Sequence, residues 1–501
     1  MNPIAGTTGQ LYMSIACRKK EIKLLERVYL SKKSEFLAIY GRRRVGKTYL
    51  IRSFFDKKSC VFFSVMGSKD GPYVEQISHF TQRIGEVFLS GIVPKAGNNW
   101  DETFKLLKNV IDKTQENKKI VIFLDELPWL ATKKSRLLQI LDYYWNQYWS
   151  VDKRIKLIVC GSSASWIIDK IINNKGGLHN RVTETICLQP FNLFETEQYL
   201  LLNKIKLNRK QITEIYMVTG GVPFYLSKIE PGFSAVQIIE KLAFEEKAIL
   251  QGEFDNLFSS LFDDGDAYIE IIKAIAGNRT GIGQEKLFKQ LSKTAKGKTG
   301  MARLRALEDA GFILSFTPHF HKQRGVYYRI IDEYTLFYLN WIAPLKETKM
   351  QRALEKGYWK TLAQTSKWFA WSGYAFEAIC YKHLNQIRRA LELSPTAIPN
   401  SWRYVSKKSD LNNISGAQID LLFDRQDNSI TVCEIKYTNK PFCVDKQYLQ
   451  VLENKIKVFK VQTRTKKQIF VAMIVSDGLN QNANSKKIIN GIVTADDLFY
   501  L

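Results

Sequence analysis

The chain has 501 residues, of which 45% are hydrophobic and 25% charged, so it is long enough for about three globular domains. Lysines and arginines number 74 against 49 aspartates and glutamates. The formal net charge of +25 favours a polyanionic partner such as nucleic acid, although a generally lysine-rich proteome would give the same surplus. No apolar run approaches the roughly 20 residues of a membrane span, and a signal-peptide pattern is missing, so we expect a cytoplasmic protein without membrane contact.

A phosphate-binding motif follows the first predicted strand. The run "EFLAIY" predicts a buried strand from Phe36 to Tyr40, and a helical pattern resumes after Lys47. Between them stands G-x-x-x-x-G-K-T, whose glycines let backbone N–H groups approach phosphates at a helix N-terminus. Lys47 is expected to reach the β- and γ-phosphates, and Thr48 is expected to ligate Mg²⁺. The residues predicted to contact ATP are Gly41, Arg42, Arg43, Arg44, Val45, Gly46, Lys47, Thr48, Tyr49 and, from a later strand, Ser162.

Two later apolar runs end in residues that suit nucleotide hydrolysis. In "KKIVIFLDELPWL", Asp125 is predicted to hold Mg²⁺ and Glu126 to activate the attacking water. The run "RIKLIVCGSS" ends in hydroxyls, so Ser162 or Ser163 is a candidate γ-phosphate sensor, while a plain serine-rich turn explains the pattern equally well. After a glycine-rich loop, Arg181 is a candidate arginine finger on a neighbouring subunit, or a residue that solvates the loop.

Residues of about 14 to 340 resemble the P-loop ATPase family found predominantly in archaea and also in bacteria, a branch of the AAA+/STAND NTPases. The resemblance is carried by "CRKKEIKLLERV", "AIYGRRRVGKT", "IFLDE", "CGSS", "NRVTETICLQPF", "TGGVPFYL" and "YYRIIDEYTLFYLNWI". It implies a module that binds and hydrolyses ATP, a helical lid containing Gly220, Gly221 and Pro223, and a winged helix after it. The chain departs from the family where Cys17 replaces the glycine of a Gly-Arg-x-x-Glu motif near the adenine.

Residues of about 268 to 331 predict three short helices and a hairpin, an order that resembles a winged helix-turn-helix. Lys298, Arg303 and Arg305 lie on or near the predicted recognition helix, which would enter a major groove if the domain binds duplex DNA. Winged helices also dock proteins, so DNA contact and protein docking both stay open. Two histidines of the hairpin have no acidic or cysteine neighbour and are interpreted as solvated: His319 and His321.

The last part of the chain predicts a small α/β core in the order helix, three strands, helix, strand. The run "QIDLLFDRQDNSITVCEIKY" places Asp420 on one strand and Glu434-x-Lys436 on the next, after a short turn. A hairpin with that turn brings Asp420 and Glu434 together as hard oxygen ligands for one divalent cation. Lys436 is expected to orient or deprotonate water and to stabilise the transition state, and Glu377 on the preceding helix to supply a further carboxylate.

These positions resemble the PD-(D/E)xK nuclease superfamily, and the resemblance implies fusion of such a domain to this ATPase family. Gln418 stands where many relatives have an acid. The same pattern also occurs as a surface ion pair on a half-exposed strand, without any chemistry. The segment from Lys346 to Leu501 contains 24 lysines and arginines against 14 aspartates and glutamates, which suits a groove lined by phosphates.

Together these features predict an α/β protein with four domains: a P-loop ATPase core with a parallel sheet at 1–190, a helical lid at 191–262, a winged helix at 263–345 and a restriction-endonuclease-like domain at 346–501. The expected function is an ATP-hydrolysing AAA+-type ATPase coupled to a DNA-binding, Mg²⁺-dependent nuclease, with ATP and Mg²⁺ as cofactors. It would be a homo-oligomer if Arg181 acts between copies. One alternative is a nucleotide-dependent switch whose last domain binds nucleic acid without cutting it, and another is a protein-remodelling ATPase.

Overall fold

The computed structural model of the chain describes residues 15–132, 134–173, 178, 180–292, 296–318, 325–348, 357–406 and 416–500, and His319 and His321 lie outside them. The chain divides into two compact units, Met1–Pro190 and Phe191–Leu501. Among the described residues, each helix is too short or too polar to traverse a lipid bilayer.

The first unit alternates strands with helices. Its strands are β1 (Glu35–Tyr40), β2 (Cys60–Met66), β3 (Lys119–Asp125), β4 (Ile155–Gly161) and β5 (Glu184–Cys187). Its helices are α1 (Lys19–Leu30), α2 (Lys47–Phe55), α3 (Tyr73–Phe88), α4 (Trp100–Asp112), α5 (Leu127–Leu130), α6 (Leu137–Tyr144) and α7 (Ala164–Ile167). Short π-helical segments at Trp145–Trp149 and Ile168–Ile172 continue α6 and α7.

The five strands form a parallel sheet in the order β2-β3-β4-β1-β5. Along β1, Phe36 and Ala38 belong to one buried cluster, whereas Leu37 and Ile39 belong to another. Alternate side chains of a strand point to opposite faces, so both faces of the sheet are buried. Because both faces are covered by helices, the strands are continuous apolar runs. The residues that follow β1, β3 and β4 share one edge of the sheet, where ligands bind in open α/β folds.

The second unit begins with helices α8 (Leu193–Leu202), α9 (Arg209–Thr219), α10 (Pro223–Leu226), α11 (Ala235–Ala243) and α12 (Ile249–Leu261). Of the predicted lid residues, Gly220 and Gly221 lie between α9 and α10, and Pro223 is the first residue of α10. Gly221 has φ +68°, and a Cβ there would stand 2.0 Å from the carbonyl oxygen of Phe191. A side chain is therefore excluded at this position, because both the backbone conformation and the close approach require glycine.

The next part has the elements α13 (Gly265–Ala276), β6 (Ile282–Gly283), α14 (Gln284–Gln290), α15 (Gly297–Asp309), β7 (Ile313–Phe316) and β8 (Tyr327–Ile330). The strands pair antiparallel in the order β6-β8-β7. This order agrees with the three helices and hairpin expected from the sequence, and the assignment as a winged helix stays a prediction. On α15, Arg303 pairs with Asp264, while Arg305 is exposed 3.9 Å from Asp309 and Lys298 is exposed.

A helical connection follows, made of α16 (Glu333–Phe337), a π-helical turn (Tyr338–Ile342), α17 (Ala343–Glu347), α18 (Tyr358–Leu362), α19 (Ser366–Lys382) and α20 (Leu384–Ala390). The polar, charged run of sequence from Lys346 to Lys360 is typical of a linker or a solvated helix. Its last part differs, because Trp359 is fully buried and its ring packs 5.2 Å from Trp341 and 5.0 Å from Trp368. One aromatic side chain thus fixes α18 in the core.

The C-terminal α/β part contains β9 (Ile398–Tyr404), β10 (Ala417–Asp424), β11 (Ser429–Lys436), β12 (Phe442–Cys443), α21 (Lys446–Thr463), β13 (Gln468–Val475), β14 (Leu479–Asn480), α22 (Ala483–Ile488) and β15 (Gly491–Thr494). Five strands form a mixed sheet in the order β15-β13-β11-β10-β9. The hairpin strands β9, β10 and β11 pair antiparallel, whereas β11, β13 and β15 pair parallel. Phe459 of α21 packs on Trp402 of β9 at 5.1 Å and so holds α21 against the sheet.

Candidate functional sites

The phosphate-binding loop joins β1 to α2. Gly41 has φ +143°, and a Cβ there would lie 2.2 Å from the carbonyl oxygen of Leu188, so the loop requires glycine at this point. Gly46 is the N-cap of α2, which places the first N–H groups of that helix at the loop. Nζ of Lys47 donates to the carbonyl oxygens of Gly41 at 2.8 Å and Arg42 at 2.9 Å. The lysine therefore folds over the concave face of its own loop.

The remaining loop residues differ in exposure. Val45 is buried, and its carbonyl oxygen accepts a hydrogen bond of 3.2 Å from Nη2 of Arg18, which is itself buried. Arg18, which precedes β1, therefore supports the loop. In the sequence it is the arginine of the Gly-Arg-x-x-Glu motif whose glycine is replaced by Cys17. The other predicted nucleotide contacts are buried or partly buried at the loop: Arg42, Arg43, Arg44 and Tyr49.

An acidic pair ends β3 beside this loop. Oδ2 of Asp125 accepts a hydrogen bond of 2.7 Å from Oγ1 of Thr48, so the two predicted Mg²⁺ ligands are in direct contact. Burial raises the pKa of Asp125, and the neighbouring Glu126 raises it further, while the Thr48 hydrogen bond opposes both. A buried carboxyl group next to a hydroxyl, at the edge where phosphates would bind, fits a Mg²⁺ ion that is bound mainly through phosphates and water.

Ser162 connects the acidic pair to the lysine. Its backbone N–H donates to Oε2 of Glu126 at 3.0 Å, and its hydroxyl group contacts Oε1 of the same carboxylate. Nζ of Lys47 lies 3.3 Å from the Ser162 hydroxyl oxygen. The sequence left Ser162 and Ser163 as equal candidates for the sensor, and the contacts favour Ser162, since Ser163 is the N-cap of α7.

Arg181 lies on the exposed surface of the first unit. Burial raises the pKa of Asp142 on α6, and the charge of Arg181 lowers it, so the two side chains interact within this chain. The proximity of Asp142 to Arg181 could not be predicted from the sequence. The structure thus leaves the guanidinium at the surface, close to one acidic group.

The C-terminal acidic residues lie on the hairpin of β10 and β11. Leu421 pairs with Cys433 and Leu422 with Val432, so the same register places Asp420 opposite Glu434 on one face. The pairing of β10 with β9 shifts its register between Ile419 and Leu422, so the regular ladder is interrupted in the stretch that contains Asp420. Bulges next to a site aim a side chain away from the regular pleat.

Gln418 stands where an acid was expected from the resemblance. Its Nε2 donates to Oδ1 of Asp420 at 2.9 Å, so this position orients the aspartate instead of adding a charge. Burial raises the pKa of Asp420, and the charge of Glu434 raises it further. The Asp420 carboxylate is therefore held in a fixed direction beside a second acid.

Glu434 is surrounded by donors. Its Oε1 accepts from the hydroxyl of Tyr448 at 2.7 Å and lies 3.0 Å from Nζ of Lys436, while its Oε2 lies 2.7 Å from Nζ of Lys455. Burial alone would raise the pKa of Glu434, but the ammonium groups of Lys455 and Lys436 lower it below its ordinary value. Tyr448 and Lys455 were missed by sequence reasoning, although both belong to α21, the helix that was predicted before the last strand.

Glu377 lies on α19 and interacts electrostatically with the same two carboxylates. Burial and the nearby charge of Asp420 raise the pKa of Glu377 to about 8, and the charges of Arg329 and Lys436 oppose this shift. Arg329 comes from β8, and its guanidinium lies 4.4 Å from the ring centres of both Phe316 and Tyr381. The third predicted carboxylate is thus close enough to interact electrostatically with the first two.

A divalent cation such as Mg²⁺ needs several oxygen ligands that converge on one point. Within the part of the chain that the structure describes, no group of three or more histidine, cysteine, aspartate or glutamate side chains has metal-binding geometry. The hard oxygens of Asp420 and Glu434 nevertheless suit Mg²⁺, because they face each other across one hairpin and Asp420 is half-buried. The chemistry of these oxygen donors therefore fits a Mg²⁺ ion. The oxygens of Glu434 are paired with Lys436, Lys455 and Tyr448 in this structure.

A parallel sheet with a glycine-rich phosphate loop after its first strand, and with an acidic strand end next to it, defines the first unit as a P-loop NTPase. Residues 16–229 match the family described as an ATPase domain predominantly from Archaea. This part of the chain is therefore an ATPase domain of that family.

Two proteins of Methanocaldococcus jannaschii are related to the chain. An uncharacterized protein is 26% identical over 381 residues, which cover 75% of this chain and 78% of that protein. An uncharacterized ATP-binding protein is 49% identical over 41 residues, which cover 8% of this chain and 70% of that protein.

Two solved structures are also similar. The Walker-type ATPase of Pyrococcus abyssi has 17% identity and a TM-score of 0.46, with 64% of this chain and 94% of that chain covered. The Aeropyrum pernix ORC2 protein in its ADPNP–ADP complexes has 14% identity and a TM-score of 0.43, with 66% of this chain and 94% of that chain covered.

Proposed function

We propose that the chain binds and hydrolyses ATP in its first unit and that ATP turnover gates or positions a Mg²⁺-dependent nuclease site in its second unit. The proposal for the second unit rests on one observation, the position of Asp420 opposite Glu434 with Lys436 next to the glutamate. Two acids that can hold a divalent cation, beside a lysine that can stabilise developing negative charge, suit phosphodiester cleavage.

At the nucleotide site, each side chain has a role that follows from its contacts. The N–H groups of the loop and Nζ of Lys47 would bind the phosphates, and Thr48 and Asp125 would hold Mg²⁺. Bound Mg²⁺ would neutralise charge on the phosphate oxygens. Glu126, which Ser162 orients, would accept a proton from the attacking water. Ser162, which contacts both Glu126 and Lys47, would therefore act as the sensor of the γ-phosphate.

Arg181 is proposed to act on the nucleotide of a neighbouring copy. Its guanidinium is exposed, as a residue that acts in a second subunit must be, and an arginine finger stabilises the charge of the transferring phosphoryl group. The functional form would then be a homo-oligomer. This part of the proposal fails if Arg181→Ala hydrolyses ATP at the wild-type rate at every protein concentration.

At the C-terminal site, Asp420, Glu434 and Glu377 would hold the cation, and Lys436 would orient the water and stabilise charge on the phosphate. The surplus of basic residues after Lys346 would attract the nucleic acid backbone, for which DNA is our proposed form. The proposed winged helix would help to dock the substrate.

The test is cleavage of supercoiled plasmid and single-stranded DNA in the presence of Mg²⁺ or Mn²⁺. The double variant Glu434→Ala, Lys436→Ala should lose cleavage. The matched control is Glu453→Ala, Lys487→Ala, which removes an acid and a lysine from an exposed ion pair of 3.1 Å in the same part of the chain. The control should cleave at the wild-type rate, and cleavage that persists in the first double variant would refute the nuclease proposal.

A second candidate function is a nucleotide-dependent switch whose last domain binds nucleic acid without cutting it. The observation that favours it is the pairing of both Glu434 oxygens with lysines, which neutralises the acid without a metal. The two functions differ in their need for a cation. If DNA is retarded on a gel but stays intact throughout a Mg²⁺ and Mn²⁺ titration, the switch is the correct function.

A further inference from the structure

Glu434 has more positive charge beside it than its own charge requires. Lys436 alone would neutralise the carboxylate, yet Lys455 lies 2.7 Å from Oε2 in addition. The two ammonium groups together bring two positive charges, the same number that a divalent cation would bring. The negative charges that they face are those of Glu434 and Asp420, since Lys455 also acts on the pKa of Asp420.

The two oxygens of Glu434 differ in how firmly they are held. Oε1 has two partners, Lys436 and Tyr448, whereas the contacts described for Oε2 give it one partner, Lys455. Displacement of one side chain, Lys455, would therefore free Oε2. Freeing Oε1 would require displacement of two side chains. Lys436 lies on the same strand as Glu434, two residues further on, so the strand keeps its side chain next to the carboxylate. Lys455 instead reaches Oε2 from α21 on a long flexible side chain.

We propose that Lys455 is a second lysine of the C-terminal site, which holds Oε2 of Glu434 in the metal-free protein and yields that oxygen when a divalent cation binds between Asp420 and Glu434. This inference rests on the proposed nuclease function. Lys455 is a positioning residue, because it acts on the cation through Glu434.

Removing a positive charge that competes for the same oxygen must strengthen cation binding. The probe is Mn²⁺ alone, titrated into the full chain without nucleotide and followed by the electron paramagnetic resonance signal of free Mn²⁺. The relevant site is the one that disappears in Asp420→Asn. We expect Lys455→Met to lower the Kd of this site at least about tenfold.

Two further variants separate competition from structure. Lys457→Met removes the same charge from an exposed position on the same helix and should leave the Kd within about twofold of wild type. Lys455→Arg keeps the charge and should bind Mn²⁺ as the wild type does. If Lys455→Met does not fold, Lys455→Gln keeps a hydrogen-bond donor without the charge and should show the same tightening.

The outcomes distinguish this inference from the proposed function. If the wild type has a Mn²⁺ site that depends on Asp420, and neither Lys455→Met nor Lys455→Gln tightens it beyond twofold, the role of Lys455 is wrong while the metal site stands. If neither the wild type nor the Lys455 variants have a Mn²⁺ site that depends on Asp420, both the inference and the metal-dependent function are wrong.

Discussion

Glu126 shows at the scale of one residue how the nucleotide site is arranged. Its backbone has φ +47°, a left-handed conformation that residues with a side chain seldom adopt, and its side chain is held by Ser162. Strain of this kind persists only where the surroundings fix it, and it is common at catalytic sites. The carboxylate is thereby aimed at the edge of the sheet where phosphates would bind.

Replacing Ser162 tests whether this contact matters for catalysis. We expect Ser162→Ala to lower the rate of ATP hydrolysis about tenfold or more, because Glu126 loses the partner that orients it. Steady-state phosphate release and ATP affinity should be measured together, with affinity nearly unchanged. Ser163→Ala is the matched control and should hydrolyse ATP at the wild-type rate. Equal rates for both variants would show that Ser162 is only a turn residue.

His383 should make the stability of the second unit depend on pH. It is fully buried, its Nε2 accepts from the N–H of Leu193 at 3.1 Å, and its Nδ1 bonds the carbonyl oxygen of Ile379 at 2.8 Å. The Nε2 contact requires the neutral ring, because a protonated Nε2 cannot accept, and burial lowers the pKa of His383 from 6.5 to about 4 although the hydrogen bond to Ile379 opposes this shift. The unfolded chain therefore binds a proton more readily than the folded chain.

The sign follows from that difference. The stabilisation from neutral His383 is complete above pH 6.5 and is lost as the pH falls toward 4, by about 3 kcal/mol in total. Urea unfolding measured from pH 7 to pH 4 should show a smaller loss for His383→Gln than for the wild type. His79→Gln, which changes an exposed histidine, should follow the wild-type curve. Parallel curves for the wild type and His383→Gln would contradict the assignment.

At the scale of elements, α18 depends on a carboxylate from another helix. Glu240 of α11 accepts hydrogen bonds from the N–H groups of Gly357 at 3.2 Å, Trp359 at 2.8 Å and Lys360 at 3.3 Å. These N–H groups are the ones that a helix N-terminus leaves without partners, and a negative charge is favourable there. Glu240 therefore holds α18, and with it Trp359, in the core.

Removal of this cap should destabilise the protein. We expect Glu240→Ala to lower the free energy of unfolding by about 1–2 kcal/mol, the usual value of a capping side chain. Glu240→Gln keeps the acceptor oxygen and should lose less. Glu246→Ala, at an exposed position close by, should stay within about 0.5 kcal/mol of wild type in the same urea titration. An equal loss in Glu240→Ala and Glu246→Ala would rule out the cap.

Features that depend on residues close together in the chain could be predicted from the sequence, whereas features that depend on contacts between distant residues could not. The phosphate loop could be predicted because its eight residues are contiguous, and the placement of Asp420 opposite Glu434 because a short turn fixes the register of a hairpin. Lys455 could not be predicted, since only the packing of α21 on the sheet brings it to Glu434. The same holds for Trp359, whose burial depends on tryptophans that follow and precede it in the chain.

In the whole molecule, the surplus of basic residues bears on the proposed binding of nucleic acid. The net charge of +25 would hold a polyanion close to the protein whichever side chains make specific contacts. Binding that depends on phosphate neutralisation weakens steeply as salt increases. Affinity for DNA should therefore fall as NaCl rises from 50 to 200 mM, and an affinity independent of salt would exclude backbone contacts as its main source.

The central claim is that one chain couples ATP turnover to cleavage of nucleic acid. The most direct measurement follows ATP hydrolysis and DNA cleavage in the same preparations of wild type, Lys47→Ala and Lys436→Ala, with and without DNA. We predict that Lys47→Ala loses ATP hydrolysis and that its rate of DNA cleavage is the same with and without ATP. The cleavage rate of the wild type should change when ATP is added. Lys436→Ala should lose cleavage and keep ATP hydrolysis. Cleavage by the wild type that is the same with and without ATP, or that continues in Lys436→Ala, would contradict the claim.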